Sequence, residues 1–234
     1  MKLIIDIGNT LVKYAIFSSD EIVIIYKKND VELSFMQELI QKHNVNDVII
    51  SSVRDKVDRD FGIKTLYLNH LTPLPITINY ETPETLGNDR IANVVAASIL
   101  YPNKNKLIID AGTCITIDFI DQNKEYQGGR ISPGIEMRYK SLHKFTSNLP
   151  KLTISNTAQQ IGKDTNSSIV SGVEKGVVAE IETIIDDFKN ENEDLFVIVT
   201  GGDTFFFENT LKNSIFADQN LVLKGLNEIL KYNE

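Results

Sequence analysis

The chain has no tryptophan, one cysteine, three histidines and six prolines in 234 residues, and its 24 basic side chains are outnumbered by 32 acidic ones. Each shortage closes a class of function. A single thiol, Cys114, rules out an internal disulfide framework. It stands one residue past a glycine turn, where a small buried apolar side chain is expected. His43, His70 and His143 are scattered without ligand spacing, so they suggest no metal centre. A net charge of -8 lacks the basic face that displaces counterions from nucleic acid. It leaves room only for a local basic pocket around an anionic ligand. No run approaches the roughly 18 apolar residues of a membrane span. The apolar N-terminal stretch is broken at Asp6, too short and charged too early for a signal peptide. A soluble, cytoplasmic protein is expected. Neither G-x-x-x-x-G-K-[ST] nor G-x-G-x-x-G occurs, which removes the two commonest nucleotide loops.

What is present is a pair of aspartates that end apolar runs, each followed by a glycine turn and a hydroxyl. The first is LIIDIGNTLVKYAIF at 3–17 and the second LIIDAGTCITIDF at 107–119. Both read as strand, tight turn, strand, with β-branched and aromatic residues flanking a glycine that lets the backbone approach a ligand. A carboxylate at a strand end, beside turn amides and a threonine hydroxyl, can hold a cation while the amides receive phosphate oxygens. One such element could be an ordinary hairpin. Two near-copies in halves of similar length point to duplication.

Strands are expected at 2–8, 11–18 and 21–27, then a helix at 31–43 and a strand at 47–53. Residues 69–86, rich in Pro and Thr, read as loop before a helical run at 87–101. The second half repeats the theme with strands at 107–110, 113–120 and 125–131 and a helix from Pro133. A long helix at 165–190, a strand at 195–202 and a terminal helix at 221–232 follow. Strands followed by helices, twice, predict a duplicated α/β unit with a cleft between the copies. The expected domains are 1–106 and 107–234.

In the first turn, Asp6, Gly8, Asn9, Thr10 and Lys13 form D-x-G-N-T-x-x-K. A phosphate cradle wants uncovered amides, a hydroxyl donor and a cation, and these residues supply them. Lys13 projects either towards the cradle or into solvent. Asp6 follows three apolar residues and needs a partner if buried; Mg²⁺, directly or through water, would serve. Asp110, Gly112 and Thr113 offer the same parts without the lysine, while Asp118 reads as structural or surface. In GNDR (87–90), Asn88 or Asp89 is a plain helix N-cap, or Asp89 accepts a hydroxyl proton beside Arg90, a donor for a carboxylate. GGRISPG (128–134) is either punctuation or a functional turn entering a helix, with Pro133 at its first position. VTGGD (199–203) either admits a flat adenine or ribose or is a strand-to-helix turn capped by Asp203. The block 133–149 carries Ile135, Met137, Leu142, Phe145 and Leu149, more apolar surface than one core-facing stripe needs, which suggests a two-fold interface.

Taken together, these blocks resemble the type III pantothenate kinases of bacteria, within the acetate and sugar kinase/Hsp70/actin superfamily. The resemblance runs through DIGNTLVK (6–13), Tyr80, GNDR (87–90), DAGT (110–113), GGRISPGIEMRYKSLHKFTSNLP (128–150), GKDT (162–165), SGVEKG (171–176) and GGD (201–203). It departs at Asn88 for a usual Ala, Asp164 for a usual Asn and Cys114 for a usual Ala. It implies duplicated ribonuclease H-like (actin-like ATPase) domains with a nucleotide cleft between them. It implies that ATP phosphorylates pantothenate to 4'-phosphopantothenate, the first step of coenzyme A biosynthesis. Asp89 would accept the proton. Tyr80, Gly87, Asn88, Arg90 and Thr165 would join it in holding pantothenate. Asp6, Gly8, Asn9, Thr10, Lys13, Gly112 and Thr113 would hold ATP with Mg²⁺, and Asp110 a monovalent cation, K⁺ or NH₄⁺. A homodimer is implied as well. A catalytically silent nucleotide-binding regulator of the same fold is the alternative. Another small kinase or phosphatase of the superfamily is a rival enzyme.

Overall fold

The computed structural model describes residues 1–54, 61–155 and 157–234. In chain order it contains β1 (Lys2–Ile7), β2 (Val12–Ser18), β3 (Glu21–Lys28), α1 (Leu33–Lys42), β4 (Asp47–Ser52), β5 (Lys64–Tyr67), β6 (Thr77–Ile78) and α2 (Asn88–Leu100). Then come β7 (Lys106–Ala111), β8 (Cys114–Ile120), β9 (Glu125–Pro133), α3 (Ile135–Lys144), α4 (Thr165–Val170) and α5 (Gly176–Glu191). The chain closes with β10 (Phe196–Thr200), α6 (Thr204–Thr210), β11 (Phe216–Ala217) and α7 (Leu221–Tyr232).

Two compact units emerge: Met1–Asn103 with Ile120–Gly128 and Asn220–Glu234, and Lys104–Phe119 with Gly129–Gln219. The expected single boundary at 106/107 is refined by this division, because two later segments belong with the first unit. For the terminal segment the reason is packing: α7 lies against α2 and β1. Gly225 of α7 is what permits it, since a Cβ there would fall on the Ala92 carbonyl of α2.

The first unit holds a sheet in the order β3-β2-β1-β4-β5. β2 pairs antiparallel with both β1 and β3, while β4 runs parallel to β1 and β5 parallel to β4. β1 (KLIIDI) and β4 (DVIISS) each carry an unbroken run of three aliphatic residues, as strands covered on both faces do. Leu3, Ile5, Ile7, Tyr14, Met36, Leu39 and Val48 share one core with Ile50. Full burial of each such aliphatic side chain stabilises by about 1.5–3 kcal/mol.

The second sheet is six-stranded, in the order β6-β9-β8-β7-β10-β11, with β10 parallel to both β7 and β11. Its core joins Leu107, Ile109, Ile115 and Ile117 to Ile135, Tyr139, Ile181, Ile185 and Phe207. The expected helix at 165–190 is continuous but not uniform: Ser171–Lys175 is a π-helical turn between α4 and α5. The segment expected as loop at 69–86 holds β6, which adds to the start of β9 in the first unit through Thr77 opposite Glu125. Pro133 does not open a helix: it ends β9, and Gly134 is the N-cap of α3. Cys114 is half-buried as the first residue of β8 rather than fully enclosed. Asp118 is structural, at 1% exposure.

Candidate active site

In the first unit, Asp6 lies opposite Lys13 across β1 and β2 and beside Ser51 of β4. Directly opposed residues share a face of a sheet, so Lys13 is on the carboxylate's side. Asp6 is 7% exposed. The Gly8 amide closes the turn itself, donating to the Leu11 carbonyl at 3.0 Å. The exposed members of the turn, Asn9 and Thr10, are therefore the ones that face outward.

At the second motif of this unit, Gly87 is the N-cap of α2 and makes no side-chain cap bond. Neither Asn88 nor Asp89 serves as the N-cap. Asn88 Nδ2 instead donates to the carbonyls of Leu68 at 3.0 Å and Ser52 at 3.3 Å, tying the helix start to the ends of β4 and β5. Half-buried Asp89 accepts the Arg90 backbone amide on Oδ1 at 2.8 Å. Arg90 is 5% exposed, and one guanidinium nitrogen donates to the Tyr126 hydroxyl at 2.8 Å. Its guanidinium also stands 5.8 Å from the Tyr80 ring centroid, and the two tyrosine rings are 6.0 Å apart. Tyr80 and Arg90 are thus brought together, and Tyr126 joins them. Tyr126 escaped the sequence reading because only strand alternation within EYQGG marks it as inward.

Residues 84–88 and the ends of β4 and β5 also line a cavity of about 790 Å³ in this unit, with Arg54, Tyr67 and His70 on its walls.

In the second unit, Asp110 lies beside Thr200 of β10. The Gly112 amide closes the turn onto the Cys114 carbonyl at 3.0 Å. Two further glycine motifs converge here. The Gly134 amide donates to the Thr113 carbonyl at 3.2 Å, and the Asp203 amide to the Ala111 carbonyl at 2.9 Å. Gly201 has φ +95°, and a Cβ there would collide with the Ala111 carbonyl and the Asp110 carboxylate. GGD is therefore packed on the Asp110 turn. Asp203 is the N-cap of α6, but its side chain makes no cap bond. Burial, and then the Glu136 charge, push its carboxyl above the ordinary carboxylate value.

Thr165 is exposed as the first residue of α4, and no hydrogen bond among the described residues gathers it with the Asp110 turn. Its neighbour Asp164 caps that helix, accepting the Ser167 amide and hydroxyl, both at 2.9 Å. Those two bonds, the amide first, hold its carboxyl below the usual range. The Asp164 charge is thus engaged locally.

Among the described residues no group of three or more His, Cys, Asp or Glu side chains could hold a metal ion. The donor set fits a divalent ion held mainly by phosphate oxygens with one buried carboxylate, Asp6, rather than a protein cage.

The profile of the type III pantothenate kinase family matches residues 2–187. A Bacteroides fragilis protein named type III pantothenate kinase is 45% identical over 239 residues, covering 100% of this chain and 98% of its own. Among solved structures, a Campylobacter jejuni protein named for the Baf family of transcriptional activators superposes with TM-score 0.65 at 24% identity, covering 99% and 98%. An inorganic polyphosphate/ATP-glucomannokinase from Arthrobacter gives TM-score 0.55 at 12% identity over the full length of both chains. At such identities these two show the fold alone, the duplicated α/β architecture of the sugar kinases and actin-like ATPases. Full-length sequence relatedness shows more: the chain belongs to the type III pantothenate kinases.

Proposed function

We propose that this chain transfers the γ-phosphoryl group of ATP to the primary hydroxyl of pantothenate, the entry reaction of coenzyme A biosynthesis. The observation that carries it is the start of α2, where half-buried Asp89 stands next to an Arg90 held by Tyr126 and flanked by Tyr80. Asp89 accepts the hydroxyl proton as that oxygen attacks phosphorus in line. Arg90, with Tyr80 and the Gly87–Asn88 backbone, faces the pantothenate carboxylate, and Thr165 contributes a hydroxyl to the same substrate. Phosphoryl transfer depends chiefly on positioning and charge neutralisation. Asn9, Thr10, Lys13 and Thr113 receive phosphate oxygens, while Gly8 and Gly112, whose amides close their own turns, leave room for the phosphates to approach the backbone. Mg²⁺ on the phosphates, when bound, neutralises charge that builds on the leaving oxygen. Asp6 would hold that ion, directly or through water, and Asp110 would hold K⁺ or NH₄⁺.

The direct test incubates the purified chain with ATP and pantothenate, or with other small alcohols, and identifies chromatographically which molecule gains phosphate. Pantothenate as acceptor is the expected result; ATP binding without any phosphorylated product would favour a silent regulator instead.

A homodimer built on the second unit belongs to the same reading. Ile131, Phe145 and Ile161 are 66%, 79% and 76% exposed there, and Met137 of α3 also faces outward. The proposed two-fold interface would cover these side chains, while Ile135 and Tyr139 of the same helix serve the unit's own core. Light scattering at micromolar concentration should give twice the chain mass of 26.3 kDa. A fully active particle at the single-chain mass would sink the dimer.

A further inference from the structure

Residues 52–54 take no part in the chemistry above, yet they touch both functional motifs of the first unit. Asn88 at the start of α2 donates to the Ser52 carbonyl at 3.3 Å. The Arg54 backbone amide donates to Ser52 Oγ at 3.1 Å. One Arg54 guanidinium nitrogen then donates to the Asn9 carbonyl at 2.8 Å. The other reaches the Asn29 carbonyl at 3.5 Å and stands 3.8 Å from Asp30. A hydrogen-bonded strut thus runs from the helix that carries Asp89 to the tip of the first glycine turn.

The contact with Asn9 has a directional consequence. A trans peptide is planar, so the Asn9 carbonyl and the Thr10 N–H point to opposite sides of one rigid unit. Fixing the carbonyl on Arg54 therefore fixes the direction of the Thr10 N–H. Asn9 and Thr10 are exposed, the Gly8 amide is already used to close the turn, and Arg54 holds the tip from outside it. A guanidinium suits the task because its planar fork can serve two acceptors at once while keeping its charge.

We propose that Arg54 is a positioning residue for the phosphates of ATP, orienting the Asn9–Thr10 peptide so that the Thr10 amide meets a phosphate oxygen. The proposal rests on the reading that this turn receives those phosphates. Arg54→Met should raise KM for ATP roughly 10- to 100-fold, the scale of one hydrogen bond to a charged group. KM for pantothenate and kcat at saturating ATP should change by less than about twofold. Arg54→Lys should recover part of the loss, since an ammonium supplies a charged donor without the fork.

Lys13→Met, measured alongside, separates the two layers. If Lys13→Met raises KM for ATP and Arg54→Met does not, the role of Arg54 is overturned while the phosphate turn stands. If neither variant moves it, the phosphate-turn reading itself falls. An equal rise in both KM values, with a lowered thermal midpoint and no recovery in Arg54→Lys, would show a merely structural residue and overturn the proposal. Should Arg54→Met fail to fold, Arg54→Gln, which keeps a donor and drops the charge, carries the same comparison.

Discussion

The two sheets share a run of five strands in one order, β3-β2-β1-β4-β5 and β9-β8-β7-β10-β11, and place opposite charges on it. In each, an aspartate sits one residue before the end of the central strand, Asp6 in β1 and Asp110 in β7. In each, a hydroxyl residue of the parallel neighbour lies beside it, Ser51 or Thr200. Three residues past that hydroxyl the copies diverge: Arg54 in the first unit, Asp203 in the second. Both positions grip their glycine turn, Arg54 through its guanidinium on Asn9 and Asp203 through its amide on Ala111. The first unit adds Lys13 on the face of Asp6, whereas β8 in the second, CITIDFI, has no basic residue. A duplicated frame has thus diverged into a cationic copy and an anionic one. The cationic copy can meet phosphate with its own side chains. The anionic copy needs a cation for the same task, which is the physical argument for a monovalent ion at Asp110.

The sharpest way to break this contrast is at the proposed proton acceptor, Asp89 of the first unit. Asp89→Asn should lower kcat by roughly 10²–10⁴, the usual cost of losing a general base. ATP binding, followed by titration calorimetry, should persist, because the proposed phosphate contacts belong to the glycine turns and not to the start of α2. Wild-type turnover in the variant would remove Asp89 from its role.

The next largest effect belongs to the second unit. Asp110→Asn should abolish activation by K⁺ or NH₄⁺ and lower the rate in potassium roughly tenfold or more, the scale of a lost charge-assisted contact. Rates compared in sodium and potassium at equal ionic strength check this. A variant that still responds to potassium would place the ion elsewhere.

Much of this contrast was legible in the sequence. Apolar runs broken by Asp6 and Asp110 locate β1 and β7, and alternation locates β2, β3 and β8 to within a residue or two. Short pairings were not legible. β6 and β11 are two residues each and gain definition only from the strands they join. Nor does sequence order reveal that α7 belongs to the first unit, because the approach of Gly225 to Ala92 is set by tertiary packing. Within the site, the acidic and glycine residues were readable because few other residue types suit those turns. Arg54 and Tyr126 were not, since an arginine after a strand and a tyrosine within one are ordinary until their partners are seen.

A smaller effect tests how tightly the GGD motif is locked on its turn. Gly201→Ala introduces a Cβ at a positive φ and against the Ala111 carbonyl. Backbone strain of this kind costs about 1–3 kcal/mol, which denaturant unfolding resolves. At Gly202 a Cβ would meet no atom within 4 Å and the φ is not positive, so Ala should be accepted there with little change. Equal stability losses at the two glycines would argue against the packed turn.

The smallest effect concerns Asp203, the anionic counterpart of Arg54. Its carboxyl is raised by burial and then by Glu136, even though it stands at a helix N-terminus, where the dipole favours the ionised form. A carboxyl with a folded pKa above its unfolded one binds a proton more tightly in the native state. Its ionisation therefore costs stability. That cost is absent below the unfolded value of about 3.9, grows as pH rises towards the raised folded value, and is complete above it. At neutral pH the ionised group is a net liability, reduced by solvent screening at a half-buried site to under about 1 kcal/mol. Asp203→Asn removes the charge and sacrifices no cap bond, because the native side chain makes none. The variant should unfold at a slightly higher temperature than the parent at pH 7, and the difference should vanish as pH falls below the carboxylate range. Thermal unfolding of both proteins across that range reads the difference directly. A variant less stable than the parent at neutral pH would mean that the Asp203 charge is held by an ionic contact, and the charge contrast between the units would need another explanation.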